Sequence, residues 1–361
     1  MYHPLEEFLM NLDDLALFRS LDSQDMIGQI DLLPDQLATA YQMGLQMPLP
    51  LHRNLRYVVV SGMGGSAIGA DLVSAAVAGQ CRVPVMVHRD YGLPAFAAGS
   101  ETLVIASSHS GNTEETLSSF EVGLARGCQV LAICTDGKLA EEARKNNVPL
   151  WIFNHHHAPR TAVGYSFGLL LAVLFRLGLI EDPARDLEEA LHAMRNLQTN
   201  LRPDVPAVHN PAKRMAGQLV GRWVTVLSAD FLAPVARRWK GQINELAKAW
   251  AQFEYLPEVD HNTLAGTENP PEMLRMMMAL FLRAPAMQQR NLARLELTRQ
   301  MFLEQGINTD FIEGRGAGIL AQMWTTILFG DYTAYYLSMA YGVDPTPIDL
   351  LDAFKAEMAR V

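Results

Sequence analysis

The segment YVVVSGMGGSAIG, Tyr57 to Gly69, decides the fold class. Its first five residues form a short β-rich run of the kind buried on both faces of a parallel sheet. The glycine cluster behind them permits positive φ and close backbone approach. A helix is predicted over Ile68–Ala78. The N-terminus of such a helix offers unpaired N–H groups and a positive dipole end to an anion, and Ser66 adds a hydroxyl. Three readings compete. The turn could join strand to helix with no ligand, or cradle an anion. It could also be a dinucleotide fingerprint built on Gly62, Gly64 and Ala67, with Asp90 for a ribose or Arg89 for a 2′-phosphate.

The same pattern continues outward. Strands are predicted over Val83–His88, Thr102–Ser107, Gln129–Cys134 and Leu150–Phe153, with helices over Glu114–Arg126 and Lys138–Asn146. Helices follow over 161–200, and Arg202–Pro211 reads as a loop. Beyond it come a strand at Trp223–Ser228, a long helix at Val235–Phe253, a strand at Leu274–Arg283 and a helix at Met287–Gln305. A strand at Asn308–Glu313 and helices at Ala317–Tyr341 and Leu350–Arg360 complete the chain. Alternating strands and helices imply an α/β protein, here with two parallel sheets, each flanked by helices in three αβα layers. Residues 1–48, mixed apolar and acidic with the helical run Pro34–Met47, are expected to form an N-terminal helical arm.

Composition narrows the function classes. The chain has 361 residues, 49% hydrophobic and 19% charged, which excludes disorder and fibrous structure as the main state. A net charge of −10, with no long Lys/Arg run, argues against a nucleic-acid partner. The longest apolar stretch, Phe167–Ile180, is broken by Arg176 and is too short to span a bilayer. The opening MYHPLEEFLMNLDD lacks a signal-peptide pattern, and three cysteines, Cys81, Cys128 and Cys134, fit a reducing compartment. A cytoplasmic protein without a membrane partner is expected.

A second turn separates the readings of the first. SSHSGNT, Ser107 to Thr113, follows another strand and opens another helix. Asn112 or Thr113 could simply cap that helix. The whole run is more than a cap requires, and reads as a nest of donors for a phosphoryl group without metal or lysine. Two such turns would meet at one crevice of a parallel sheet. A dinucleotide has no use for the second.

Here the sequence resembles a known family. GMGGS with SHSGNT looks like a sugar isomerase (SIS) domain. The element PRTAVGYSFG around Arg160, the helix ARRWKGQINELAK (Ala236–Lys248), LPEVDHN (Leu256–Asn262) and YGVDPTPIDLLDAFK (Tyr341–Lys355) are similar to the bifunctional phosphoglucose/phosphomannose isomerase family. The resemblance covers the chain from about residue 50 onward. It implies two SIS-type domains, 49–200 with the phosphate turns and 201–361 with the C-terminal helix, behind the 1–48 arm. It also implies a homodimer with shared active sites, no cofactor, and sugar 6-phosphates as substrates. The reaction would interconvert fructose 6-phosphate with glucose and mannose 6-phosphates through a cis-enediol.

Such a reaction needs a base between C1 and C2, a cation at the enediolate, an acid–base group for ring opening and a phosphate anchor. The resemblance makes Glu245 the base, within its Asn-Glu-x-x-Lys stretch; spacing alone would read it as a solvated glutamate beside Lys248. Arg238, Gln242 and Ala249 share its helical stripe, which reads as a surface that could face a site. Arg160 resembles the enediolate-stabilising arginine, and His261 the ring-opening histidine that the neighbouring subunit supplies. Lys355 resembles a lysine that assists ring opening, and Thr346 a small residue tied to epimer tolerance. Gly65, Ser66, Ser108, Ser110 and Thr113 would hold the phosphate; His109 stands where the family usually has a tyrosine, and could add charge there at lower pH. A non-catalytic sugar-phosphate sensor would keep Ser66, Ser110 and Thr113 but would not require Glu245, His261 and Arg160.

The remaining motifs read more plainly. His155-His156-His157 invites a metal, but adjacent histidines cannot all face one ion and no partner shows ligand spacing. Met276–Met278 reads as strand core, and Cys128 and Cys134 lack a nucleophile's surroundings.

Overall fold

The structure, a computed structural model, describes residues 11–50, 54–358 and 360. The first ten residues of the expected arm lie outside the described residues. The remainder begins with α1 (Leu15–Leu21), α2 (Met26–Asp31) and α3 (Leu33–Gly44). Then follow β1 (Tyr57–Ser61), α4 (Gly64–Val77), β2 (Val85–His88), β3 (Thr102–Ser108), α5 (Glu114–Ala125), β4 (Gln129–Cys134), α6 (Lys138–Lys145) and β5 (Leu150–Ile152). Helices α7 (Val163–Arg176), α8 (Ala184–Gln198) and α9 (Pro211–Leu219) lead to β6 (Trp223–Ser228), α10 (Ala233–Ala247) and β7 (Ala251–Tyr255). The chain ends with α11 (Pro271–Met276), β8 (Met277–Arg283), α12 (Gln289–Glu304), β9 (Asn308–Glu313), α13 (Ile319–Ala340) and α14 (Asp349–Met358).

These elements form two compact units. One, the first-sheet unit, comprises Leu32–His192 with Ala317–Ala321; the second-sheet unit comprises the described residues up to Asp31, Ala193–Gly316 and those from Gln322 on. The expected arm is therefore divided between them. Its last helix belongs to the first-sheet unit for a steric reason: a Cβ on Gly168 of α7 would meet Ala40 Cβ at 2.7 Å and the Leu37 carbonyl oxygen at 2.9 Å. Only a glycine lets α3 and α7 approach so closely. Its first helix belongs to the second-sheet unit, where Phe18 packs 6.0 Å from the rings of both Tyr335 and Tyr336. Between the two sheets the chain passes from one unit to the other at 192/193, inside α8.

The first-sheet unit carries five parallel strands in the order β2-β1-β3-β4-β5. Strand β3 is buried at every position, as its run of small and β-branched residues dictates for a central strand. Because the chain leaves β1 to one side for β2 and returns to its other side for β3, the strand order reverses between β1 and β3. That reversal opens a crevice at the carboxyl ends of those strands.

The second-sheet unit carries four parallel strands in the order β7-β6-β8-β9. Two expectations are corrected here. The long helix expected over Val235–Phe253 ends at Ala247, and the chain goes on into edge strand β7. Lys248 turns it out of the helix at φ 51°, held by Nζ hydrogen bonds to the carbonyls of Leu246 (3.2 Å) and Asp344 (2.6 Å). The strand expected from Leu274 begins at Met277, since Pro271 opens a short helix that runs to Met276. Met276 is accordingly 47% exposed, while Met278 is core.

Candidate functional site

The first-sheet unit sets two hydroxyl-bearing turns at the β1/β3 crevice. Helix α4 begins at Gly64 and α5 follows Thr113; neither has a side chain capping its first amides. Thr113 stands at the cap position, but its hydroxyl lies 2.9 Å from Ser108 Oγ. The orphan N–H groups and positive ends of two helices are thus available to an anion. Glu114, in the first turn of α5, is engaged by the Tyr91 hydroxyl at 3.0 Å.

The turns are held by their own backbone. Ser108 Oγ accepts the Gly111 N–H at 3.1 Å, and Ser110 Oγ accepts the Asn112 N–H at 3.2 Å. Gly111 is obligatory: its φ is +69°, and a Cβ there would lie 1.7 Å from the Asp136 carbonyl oxygen. Ser66 Oγ accepts the His109 N–H at 3.2 Å, which ties the first turn to the second and leaves the serine its own proton to donate. Gly65 abuts the third turn, Pro159–Thr161, with a notional Cβ 2.6 Å from the Pro159 carbonyl oxygen and 3.6 Å from the Arg160 nitrogen. Arg160 is 4% exposed. Gly65, Ser66, Ser108, Thr113 and the backbone of Arg160 are therefore neighbours, with Ser110 exposed on the same turn.

His109 does not act as a latent cation here. Burial pushes its pKa down, and its Nε2 lies 2.9 Å from His155 Nδ1. His155 is pushed down to about 4, first by burial and then by the histidines around it. Both shifts run against the expected added charge near the anion at lower pH, because burial disfavours the imidazolium. Arg89, the arginine of the dinucleotide reading, is paired with Asp71 on α4.

The second-sheet unit holds the other expected residues. Glu245 is half-buried near the end of α10. Its stripe is not open along its length: Arg238 and Gln242 are buried, and Arg238 forks onto Asp331 of α13 at 3.2 and 2.7 Å. Ala249 lies beyond the helix end. His261 is exposed in a short 3-10 turn, Glu258–His261. The adjoining Asp260 is pinned to α12 by Arg294 and Thr298, each at 2.7 Å. Thr346 is half-buried, its N–H on Asp344 Oδ1 at 2.9 Å. Lys355 is exposed on α14, 3.5 Å from Asp352.

A relative from Caldicellulosiruptor bescii, a bifunctional phosphoglucose/phosphomannose isomerase, is 38% identical over 340 residues, covering 93% of this chain and 99% of its own. This chain belongs to that isomerase family. A bifunctional phosphoglucose/phosphomannose isomerase from Aquifex aeolicus is 32% identical over 304 residues, 84% of this chain and 90% of the relative. The family profile of the bacterial phospho-glucose isomerase C-terminal SIS domain matches residues 208–358. In fold, the chain is similar to a hypothetical protein of Thermus thermophilus, with a TM-score of 0.73 at 17% identity over 99% of this chain and 94% of the other.

The structure also brings His155 to the second turn, with its Nδ1 2.9 Å from His109 Nε2, a contact that sequence reasoning does not foresee. His155 is considered there only as one of three adjacent histidines that could bind a metal. Among the described residues no group of three or more His, Cys, Asp or Glu is arranged to hold a metal ion. The signal available was the unusual His109 in the second turn. No helix among the described residues is long and apolar enough to cross a membrane.

Proposed function

We propose that this protein is an aldose–ketose isomerase that interconverts fructose 6-phosphate with glucose 6-phosphate and mannose 6-phosphate. The observation that carries this reading is the pair of uncapped helix N-termini with hydroxyl turns at the β1/β3 reversal, within a chain of this isomerase family. Gly65, Ser66, Ser108, Ser110 and Thr113 bind the 6-phosphate. The dianion replaces missing caps with charge-assisted hydrogen bonds.

With the phosphate held, Glu245 takes the proton from C2 of the aldose and returns it to C1, while the hydroxyl proton passes from O2 to O1 at the enediol, so that the carbonyl moves from C1 to C2. A carboxylate suits this shuttle because the same oxygen can accept and return the proton. Arg160 stabilises the negative charge on the enediolate. His261 and Lys355 open the ring by moving a proton between the anomeric hydroxyl and the ring oxygen. Thr346, a small side chain, leaves room for either epimer at C2. The enzyme works in the cytoplasm as a homodimer with shared active sites, His261 coming from the neighbouring subunit, and the side chains perform the chemistry without a cofactor.

The test is turnover of fructose 6-phosphate with separate detection of glucose 6-phosphate and mannose 6-phosphate. Both products are expected, and Glu245→Gln should remove turnover while inorganic phosphate still inhibits or binds. A folded Glu245→Gln protein with near-normal rates would remove Glu245 as the base. Binding of fructose 6-phosphate without either product would turn the assignment to a sugar-phosphate sensor.

A further inference from the structure

One residue joins the turns of the first-sheet unit, and the proposed proton transfer does not use it. His109 donates its N–H to Ser66 Oγ in the first turn. Its carbonyl accepts from Thr135 behind β4, both from N–H at 3.0 Å and from the hydroxyl at 2.7 Å. Its ring reaches His155 at 2.9 Å, and His155 Nε2 lies 3.3 Å from Thr161 Oγ1, one residue after Arg160.

The last link fixes the order of protons. The Thr161 hydroxyl donates to the Ala158 carbonyl at 2.8 Å, so its oxygen is the acceptor for His155 Nε2–H. His155 Nδ1 then carries a lone pair, and His109 must hold its proton on Nε2. Both rings are packed against aromatic side chains, and His155 is buried. His155 is 7% exposed. Phe153 stands edge-on to His109 at 5.8 Å, and Tyr165 stands edge-on to His155 at 5.8 Å.

We propose that the His109–His155 pair is a positioning element, a neutral hydrogen-bond chain that fixes the Ser108–Thr113 turn against the Pro159–Thr161 turn and thereby places Arg160 relative to a bound phosphate. This rests on the isomerase reading of the site. A proton on His155 Nδ1 would remove the acceptor on which the link to His109 depends. Around His155 stand His156 and His157 of its own segment, Thr161 of the third turn, Tyr165 of α7 and His109. The histidines and burial together keep the ring uncharged at neutral pH. Neither His109 nor His155 touches the reacting carbons in this scheme. Their part is to keep Arg160 where the enediolate forms, and misplacement by about 1 Å can cost as much as about a hundredfold in rate.

The experiment compares wild-type protein with His155→Phe and His155→Asn. Phenylalanine keeps the ring bulk and removes both hydrogen bonds. Asparagine puts an amide oxygen near the Nδ1 position, where it can accept from His109. With fructose 6-phosphate as substrate, His155→Phe should lower kcat about tenfold or more, as expected for a lost buried hydrogen-bonded link at a site needing close alignment. The inhibition constant for inorganic phosphate should move much less, and His155→Asn should recover part of kcat. Nitrogen-15 NMR of the wild-type protein should show both rings as Nε2–H tautomers, and inorganic phosphate should shift the His155 ring signals. A folded His155→Phe protein with wild-type kcat overturns the proposal, and so does a His109 ring protonated on Nδ1. If His155→Phe fails to fold, the tautomers and the phosphate-induced shift decide alone. A wild-type protein that shows these NMR signatures but turns over no fructose 6-phosphate would refute the isomerase reading and leave the coupling of the turns standing.

Discussion

Replacing Arg238 by Met tests the energetics of helix α10, which carries Glu245. Arg238 and Asp331 are each 3% exposed at the side chain, and two hydrogen bonds of 3.2 and 2.7 Å join them. Burial raises the Asp331 pKa, and the charge and hydrogen bonds of Arg238, with a bond from Gln242, act against that rise. Breaking a buried pair by removing one partner costs about 3–5 kcal/mol, because the other charge is left in a medium that cannot solvate it. That is a large part of an ordinary folding stability of about 5–15 kcal/mol. With a urea dependence of about 2–3 kcal/mol per molar, the midpoint should fall by about 1–2.5 M. The assay is equilibrium urea unfolding followed by tryptophan emission, since Trp239 and Trp324 are fully buried in the same unit.

The pH dependence adds a second check. A carboxyl whose folded pKa lies above its unfolded value favours the folded state most below the unfolded pKa. That contribution is lost as pH rises through the folded pKa. Without Arg238 the folded pKa of Asp331 rises further, so the deficit of the variant should be largest at pH 7 and shrink toward pH 4. Replacing both partners, Arg238→Met with Asp331→Leu, should restore most of the stability. A single variant that loses less than about 1 kcal/mol, or a deficit that does not change with pH, would refute the reasoning.

Three further outcomes are expected. Gly111→Ala must open the second turn, because the new Cβ meets backbone at Asp136 and φ is +69°; a loss of about 1–3 kcal/mol and weaker inorganic phosphate inhibition should follow. His155 has a folded pKa of about 4, depressed below its ordinary 6.5, so its contribution to stability is present above that ordinary value and is lost as pH falls toward 4. Wild-type urea midpoints should therefore drop more steeply than those of His155→Phe over that interval, and parallel curves would contradict the assignment. Burial pushes the Cys134 thiol up to about 12, so thiol reagents at pH 8 should leave it unmodified until the protein unfolds, as mass spectrometry of labelled peptides can show.

Much of this fold is legible in the chain because its central strands leave little choice. Strands β1, β4, β6 and β9 span the residues expected of them, the first three as largely apolar runs. The missed strand β7 has a definite cause. Helix α10 ends on Lys248 in the left-handed region, where sequence rules look for glycine. No glycine announces the stop; the Lys248 ammonium holds the turn through the nearby Leu246 carbonyl and the distant Asp344 carbonyl. The start of β8 was obscured in the same way, since a Met-rich run carries neither helical nor strand periodicity. At the site, the hydroxyl turns are readable because glycines and serines cluster after strands. The His109–His155 link is not, because it joins residues 46 apart through a contact that exists only when β3 and β5 lie in one sheet.

The interleaving of the two units gives the protein a timetable. A ribosome releases residues 32–192 as nearly the whole of the five-stranded unit, which can close while the four-stranded sheet is still unmade. Helix α1 is made before that sheet and completed after it. Phe18 waits for Tyr335 and Tyr336, and Asp13 waits for the fully buried ammonium of Lys213. During that interval Phe18 of α1 is an apolar side chain without its partners. The step most open to wrong partners is therefore the last one, when the end of the chain arrives to cover its beginning.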